Sequence, residues 1–223
     1  MLVAAGPDVY DMWVAHKIPF NDARVVEALD KVGQILRDPR YVNGGYGGVQ
    51  SIATVAMSED GLPILQNTCA MHRQASFYAN EWPDGTKIGP DGDVYAFYLP
   101  TLDTTRARPI LGAGEFLGAF DTRAEVQAVA SYLFTPQWAN ARARLGGAVS
   151  ANKAINPEAL QSPIEKLSAQ LLTDPGTVFR FDGSDMMPAA VGTGTFWTGM
   201  IDWLNGKPTK DVLDAIERSW PKD

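Results

Sequence analysis

The sequence predicts an α/β fold in which helix clearly exceeds strand. Three runs of apolar residues at helical spacing begin at capping residues, and a fourth is closed by a glycine. Only short aromatic or glycine-rich segments favour strands. We therefore expect helices near residues 22–37, 123–134, 163–172, 195–205 and 210–219.

The first of these helices carries clear start and stop signals. Asn21 and Asp22 are favourable N-cap residues, and Asp38-Pro39 ends the periodic pattern. Between these signals, apolar residues recur every three or four positions, which predicts an amphipathic helix with one buried stripe. The stripe consists of Val25, Leu29, Val32 and Leu36.

Two further helices begin at predicted capping boxes. The first box, Thr122 to Glu125, precedes an apolar stripe that includes Val126, Val129 and Leu133. The second box, Ser162 to Glu165, has proline at the first helical position. Thr135-Pro136 separates the first of these helices from another helix that runs to Leu145.

The predicted strands are short. Residues 93–99 are aromatic and β-prone, and the apolar, Gly-rich residues 110–120 favour one or two strands. A short apolar helix is expected over residues 49–57, after a flexible Gly-rich loop. These elements complete a chain with more helix than strand.

Composition excludes several function classes. The chain has 223 residues, 45% of them hydrophobic, and a net charge of −7, so its surface repels nucleic-acid phosphates and anionic membranes. No run has the length of a transmembrane helix, and residues 1–7 lack the pattern of a signal peptide. The protein is therefore either cytosolic or lacks its natural N-terminus, and the sequence by itself favours a cytosolic protein.

Metal and cofactor signals are weak. The two histidines, His16 and His72, are far apart, and Asp182-Gly183-Ser184-Asp185 lacks the continuation of a calcium loop. The Gly-rich stretch 112–118 is a poor match to a dinucleotide-binding fingerprint, and we interpret it as glycine for close strand packing. We expect no metal and no cofactor.

Catalytic arrangements are also weak. Cys69 and His72 are three residues apart, which is more typical of a small buried thiol beside a polar residue than of a catalytic pair. Asp182, Asp185 and Glu115 could supply the two carboxylates of a glycoside hydrolase, but the sequence does not fix their separation. A carbohydrate-active hydrolase is therefore the alternative to a binding protein, with a purely structural domain as a third possibility.

Two segments combine aromatic rings with planar polar side chains, the mixture that carbohydrate sites use. They are residues 71–77 and residues 180–197. Trp197 follows a Gly/Thr loop at the start of a helix, which favours a binding role, whereas Phe181 and Trp203 are as readily core residues. Trp13 has a pattern that favours neither role. The candidate ligand-binding residues are Trp197, His72, Arg73, Gln74, Phe77, Asp185 and Trp13.

The order and spacing of several segments resemble the extracellular solute-binding proteins for maltodextrins and α-glucosides. The likeness covers nearly the whole chain and is most typical at its end, from Phe196-Trp197 through residues 203–207 to Trp220. The other segments that carry it are residues 6–13, 16–20, 41–45, 69–77, 125–136, 146–153 and 181–188.

This resemblance implies the helix-rich C-terminal lobe of a two-lobed clamp of the periplasmic-binding-protein type, class II. Residues 1–107 and 155–223 would form that lobe, and residues 110–153 would pack on an N-terminal lobe that this chain lacks. The implied protein is not an enzyme and needs no cofactor. It binds a sugar, delivers it to the permease subunits of an ABC transporter, and is extracellular or periplasmic.

Overall fold

The computed structural model describes residues 1–42, 46–101 and 107–222. Within these residues the chain divides into two compact units. The first unit consists of residues 1–70, 100–112 and 176–223, and the second consists of residues 71–99 and 113–175.

The first unit is mainly helical. Its helices are α1 (Leu2–Ala5), α2 (Pro7–Val14), α3 (Ala23–Leu36), α4 (Leu62–Leu65), α8 (Gly183–Met186), α9 (Phe196–Leu204) and α10 (Thr209–Ser219). A 3₁₀ helix covers Gly48–Ala53, and a π-helical turn, Ala190–Thr195, runs directly into α9. The predicted helices near 22–37, 195–205 and 210–219 are confirmed.

The core of the first unit lies between α2, α3, α9 and α10. Phe20 and Ile216 are fully buried at its centre. Trp203 of α9 donates from its indole Nε1 to Thr209 Oγ1 (3.1 Å), and Thr209 donates in turn to Asp30 of α3 (2.6 Å). This relay ties three helices together and satisfies the indole N–H, as a buried tryptophan requires.

Helix α3 begins as the sequence predicts and buries less than expected. Asp22 caps it by accepting a hydrogen bond from the backbone N–H of Arg24. Val25 is buried, and Leu29 packs against the core, but Val32 is exposed. The prediction of a buried stripe along the whole helix is therefore wrong at Val32, although the C-terminal half still reaches the core, where a Cβ on Gly33 would lie 2.9 Å from the Trp203 ring.

A two-stranded parallel sheet completes the first unit. Strand β1 (Arg108–Gly112) pairs with β2 (Thr177–Phe181), with Ile110 opposite Phe179. A Cβ on Gly112 would lie 2.8 Å from the Phe179 ring, so this glycine allows close packing between the strands. The structure thus supports the interpretation of Gly112 as a packing residue.

The second unit contains three α-helices among its described residues, α5 (Ala124–Leu133), α6 (Pro136–Ala143) and α7 (Pro163–Thr173), with 3₁₀ helices at Ser76–Asn80 and Pro157–Ala159. The predicted helices at 123–134 and 163–172 are confirmed. A small core cluster contains Ala143, Ala159 and Leu160.

A buried carboxylate organises this unit. Ser162 and Glu165 form the predicted capping box at the start of α7. Glu165 also accepts hydrogen bonds from the backbone N–H groups of Gln161 (2.7 Å) and Gly147. One side chain therefore caps the helix and fixes the neighbouring glycine loop.

Four local predictions need correction. Residues 93–99 form no strand, because Val94 takes part only in an isolated bridge with Ile88. Residues 113–120 are exposed and have no regular secondary structure, so the strand predicted there ends at Gly112. The helix expected over 49–57 is a shorter 3₁₀ helix, and α5 begins after Arg123 without a side-chain cap, so the Thr122 capping box is wrong.

The two compact units have boundaries that differ from the predicted lobes. Residues 71–99 and 154–175 belong to the same unit as residues 113–153. The units reflect packing within this chain, whereas the predicted lobes describe a longer protein. The lobe boundaries 1–107, 110–153 and 155–223 therefore stay a prediction.

Candidate functional site

Trp197 is an exposed aromatic side chain at the start of a well-packed helix. It is the second residue of α9 and 63% exposed, whereas Trp203 of the same helix is 2% exposed. Its neighbour Phe196 packs edge-on against the rings of Phe20 (5.1 Å) and Trp13 (5.8 Å). The helix thus holds one aromatic face in the core and presents another to solvent.

The candidate residue Trp13 lies in the core. It is 5% exposed, and its ring is surrounded by those of Tyr10, Phe20 and Phe196. A ring whose faces are covered by other aromatic side chains offers no platform to a ligand. We therefore assign Trp13 to packing and do not retain it as a ligand-binding candidate.

Asp185 lies in α8, and the residues before it build that helix. Asp182 is the N-cap, accepting hydrogen bonds from the backbone N–H (2.9 Å) and the hydroxyl (2.8 Å) of Ser184. Asp182 is thereby occupied in a structural role. Asp185 is exposed and has no ion-pair or hydrogen-bond partner among the described residues, so its carboxylate oxygens can accept from a ligand.

The charged and polar groups next to this helix are engaged within the unit. Arg180 forms a two-pronged ion pair with Asp11, at 2.7 Å from Nε and 2.8 Å from Nη2. This hydrogen bonding raises the pKa of Arg180 above its usual range. The Tyr10 hydroxyl donates to the Phe181 carbonyl (2.8 Å), and burial, with the nearby Asp182 charge, raises the pKa of Tyr10 to about 12. These groups join α2 to β2.

In the second unit, residues 71–77 present several polar side chains on a segment without regular secondary structure that runs into the 3₁₀ helix Ser76–Asn80. Arg73 is exposed and has no ion-pair partner among the residues described. Gln74 is exposed, and its amide oxygen accepts from the backbone N–H of Ala75 (2.9 Å). Phe77 is about half exposed, and His72 is partly buried.

Tyr78 anchors this segment, and the sequence interpretation missed it. Tyr78 is buried, and its ring makes edge-to-face contacts with the rings of His72 and Trp82, at centroid distances of 4.9 Å and 5.0 Å. Tyr78 and Trp82 stand four residues apart, a spacing that indicates an aromatic pair on one helical face. That spacing is the sequence signal from which the aromatic pair could have been predicted. Tyr78 packs while the residues before it are exposed, so it fixes the base of a polar segment.

The candidates fall into two groups. Trp197 and Asp185 belong to the first unit, and His72, Arg73, Gln74 and Phe77 belong to the second. Within the first unit, α8 packs against the π-helical turn that leads into α9, so the elements that carry Asp185 and Trp197 are coupled. Each group joins an exposed aromatic side chain to polar side chains.

The described residues contain neither a metal-binding cluster nor a membrane-spanning helix. In residues 1–42, 46–101 and 107–222, no group of three or more His, Cys, Asp or Glu side chains could hold a metal ion. Within the same ranges, every helix is too short or too polar to cross a membrane.

Two curated proteins are similar to this chain over practically its whole length. The chain is 39% identical to the osmoprotective compounds-binding protein GgtB of Synechocystis sp., over 222 residues, which are 100% of this chain and 52% of that protein. It is 34% identical to the alpha-glucosides-binding periplasmic protein AglE of Rhizobium meliloti, over 99% of this chain and 48% of that protein. The chain thus spans about half the length of the curated relatives it matches.

These similarities confirm the resemblance to periplasmic solute-binding proteins. Both relatives are named as binding proteins and neither as an enzyme, so the hydrolase alternative finds no support. No family model matches the chain. No solved structure matches it significantly.

Proposed function

We propose that this chain is part of the substrate-binding component of an ABC sugar importer, which captures α-glucosides or related oligosaccharides in a cleft between two lobes. The similarity to one relative named for α-glucosides and another named for osmoprotective compounds supports a small polar solute as the ligand. The complete protein would act outside the cytoplasmic membrane and pass its ligand to the permease subunits.

The observation that carries this proposal is the exposure of Trp197. A large aromatic face left open at the start of a packed helix is suited to stack on the C–H face of a pyranose. In the same unit Trp203 and Trp13 are buried and Trp220 is half-buried, so Trp197 is the most exposed tryptophan of this unit among the described residues. The exposed indole face of Trp197 beside such a core is therefore available to a ligand.

Polar side chains would then supply hydrogen bonds to the sugar hydroxyls. The unpaired carboxylate of Asp185 is an acceptor, and the guanidinium of Arg73 is a donor without a competing partner among the described residues. Charge-assisted hydrogen bonds of this kind strengthen when a closing cleft excludes water. Gln74 and His72 would add further hydrogen bonds, and Phe77 a second, smaller apolar face.

We also propose that residues 110–153 pack on the other lobe of the complete protein. Helix α5 supports this assignment because none of its residues is buried and its apolar Val129 and Tyr132 are exposed. Phe116, Phe120 and Phe134, which flank it, are exposed as well. Exposed apolar surface of this extent is unusual on a soluble protein and favours a covering partner.

The proposal is tested by calorimetric titration of the full-length protein with maltose-type sugars. Trp197→Ala should weaken binding by about 1–3 kcal/mol, or roughly ten- to a hundredfold, because a stacked indole face is lost. The melting temperature should change little, because the side chain is exposed.

Ile35→Ala serves as the matched control. Ile35 is 59% exposed, close to the value for Trp197, and lies in the same unit on α3. It should alter neither affinity nor stability. Unchanged affinity in Trp197→Ala together with a large loss of stability would refute the stacking role. The 223-residue chain alone should bind weakly, and tight binding by it would contradict the two-lobe proposal.

A further inference from the structure

The π-helical turn Ala190–Thr195 determines which face of α9 points outward. A π-helical turn accommodates one more residue than an α-helical turn, so it changes the rotation of everything that follows it by about 100°, the angle between adjacent α-helical residues. Phe196 and Trp197 are adjacent in sequence, directly after this turn. Removing one residue from the turn would therefore move Trp197 toward the position of Phe196.

Phe196 is half-buried and packs against the core, which makes the rotation consequential. Phe196 packs edge-on against Trp13 and Phe20, while Trp197 is exposed. The two side chains are not interchangeable, because the core at this point is lined by rings already in contact with one another. The wide turn thus selects phenylalanine for the core and tryptophan for the surface.

Gly192 seats this turn against the preceding helix. Gly192 is buried, and a Cβ there would lie 1.9 Å from the carbonyl oxygen of Ser184 in α8. That oxygen belongs to the backbone, so a side chain at this position forces the turn away from α8 instead of displacing a flexible group. By contrast, a Cβ on Gly194 would lie 3.4 Å from its nearest neighbour, the Ala189 carbonyl oxygen.

A second contact holds the other end of the turn. The hydroxyl of Thr195 lies 2.7 Å from that of Ser219 at the end of α10. The turn is therefore fixed to α8 at Gly192 and to α10 at Thr195. Between these two contacts its winding is determined, and with it the direction of Trp197.

We infer that Gly192 is a positioning residue: its contact with α8 maintains the π-helical turn, and the turn directs Trp197 to the surface. The consequence for ligand binding rests on the proposed function, since it requires Trp197 to be the sugar platform. The consequence for the exposure of Trp197 is independent of the proposed function.

The test measures the quenching of tryptophan fluorescence by acrylamide in the 223-residue chain. The contribution of Trp197 is obtained by subtracting the signal of Trp197→Phe, prepared in each background. In the wild type, Trp197 should be the most strongly quenched tryptophan. If Trp197→Phe leaves wild-type quenching unchanged, the inference is overturned at once.

Two glycine variants then isolate the contact with α8. Gly192→Ala should lose most of the Trp197 contribution, whereas Gly194→Ala, in the same turn, should retain it. Equal effects of the two variants, or an unchanged Trp197 signal in Gly192→Ala, would overturn the inference. Circular dichroism establishes that each variant keeps its helical content.

A shortened turn keeps the inference testable if Gly192→Ala does not fold. Deleting the exposed Ala190 removes one residue from the turn without adding a side chain. A folded deletion variant should shield Trp197, which takes the position of Phe196, and should move Phe196 to the half-buried position of Thr195. A folded variant with unchanged Trp197 quenching, or a variant that does not fold, would overturn the inference.

Sugar titration of full-length Gly192→Ala separates this inference from the proposed function. A loss of affinity similar to that of Trp197→Ala is expected if both hold. If the wild type binds no sugar, the proposed function fails, while the quenching series still decides the role of Gly192.

Discussion

Two pairs of consecutive helices in this chain have similar apolar patterns but differ in how much of that apolar surface is buried. In the first unit, α10 packs on α9 and buries Val212, Leu213 and Ile216 almost completely. In the second unit, α5 is followed by α6, but α5 buries none of its residues and Val129 is 59% exposed. An apolar stripe therefore indicates that a helix packs against another element, but it does not identify that element.

The largest expected difference between these pairs is in side-chain truncation. Ile216→Ala should lower the free energy of unfolding by about 2–5 kcal/mol, because it removes a fully buried side chain from a packed core. Val129→Ala should change it by no more than about 0.5 kcal/mol in the 223-residue chain, because that side chain is exposed. Urea unfolding measures both.

Repeating Val129→Ala in the full-length protein tests the covering of α5. If residues 110–153 pack on another lobe, the same substitution should become clearly destabilising there. A small effect in both proteins would contradict the assignment of this segment to the other lobe.

An intermediate effect is expected at Glu165, the buried carboxylate of the second unit. Glu165→Ala should cost about 1–3 kcal/mol, because it leaves the backbone N–H groups of Gly147, Gln161 and Ser162 without their acceptor. The exposed Glu158 is the control, and Glu158→Ala should be nearly neutral. Hydrogen exchange at the Gly147 amide should accelerate only in the Glu165 variant, and equal exchange in both would argue against this organising role.

The smallest effect is a pH dependence at the cap of α3. Hydrogen bonds from the Arg24 side chain and backbone lower the pKa of Asp22 to about 2. Because the folded-state pKa is below the unfolded one, this cap stabilises fully above about pH 4 and is lost as the pH falls toward 2. The contribution should be about 1 kcal/mol.

Asp22→Asn isolates that contribution. Asparagine caps a helix about as well but does not titrate, so the variant should lose less stability than the wild type between pH 5 and pH 2. Parallel unfolding curves for the two proteins across this range would show that Asp22 does not contribute.

Local signals in the sequence predicted most helices because capping and periodicity act within one turn. Ser162 with Glu165 and Asp22 with Arg24 do in the structure what their residue types favour. Residues 93–99 failed because β-prone side chains form a strand only when another strand pairs with them, and at Val94 only a single bridge forms. The Thr122 box failed because Arg123, one residue later, became the N-cap.

The candidate site residues also divide into those that the sequence indicated and those that only the structure could assign. The sequence indicated Trp197 from its place after a Gly/Thr loop, and it could not assign Trp13, because the pattern around Trp13 favours neither core packing nor ligand binding. Burial separated them: one ring is enclosed by Tyr10, Phe20 and Phe196, and the other is open. Arg180, part of a candidate binding segment, is instead engaged by Asp11, 169 residues away in the chain.

By itself, the sequence determined the class of fold, the position of most helices and the resemblance to sugar-binding proteins, since these depend on residues near one another in the chain. Only the tertiary structure decided which apolar faces are covered and which charges are paired. It also decided how the turn at Gly192 orients Trp197. Those outcomes depend on contacts between separate segments of the chain, such as the hydrogen bond between the hydroxyls of Thr195 and Ser219, 24 residues apart, and no local pattern encodes them.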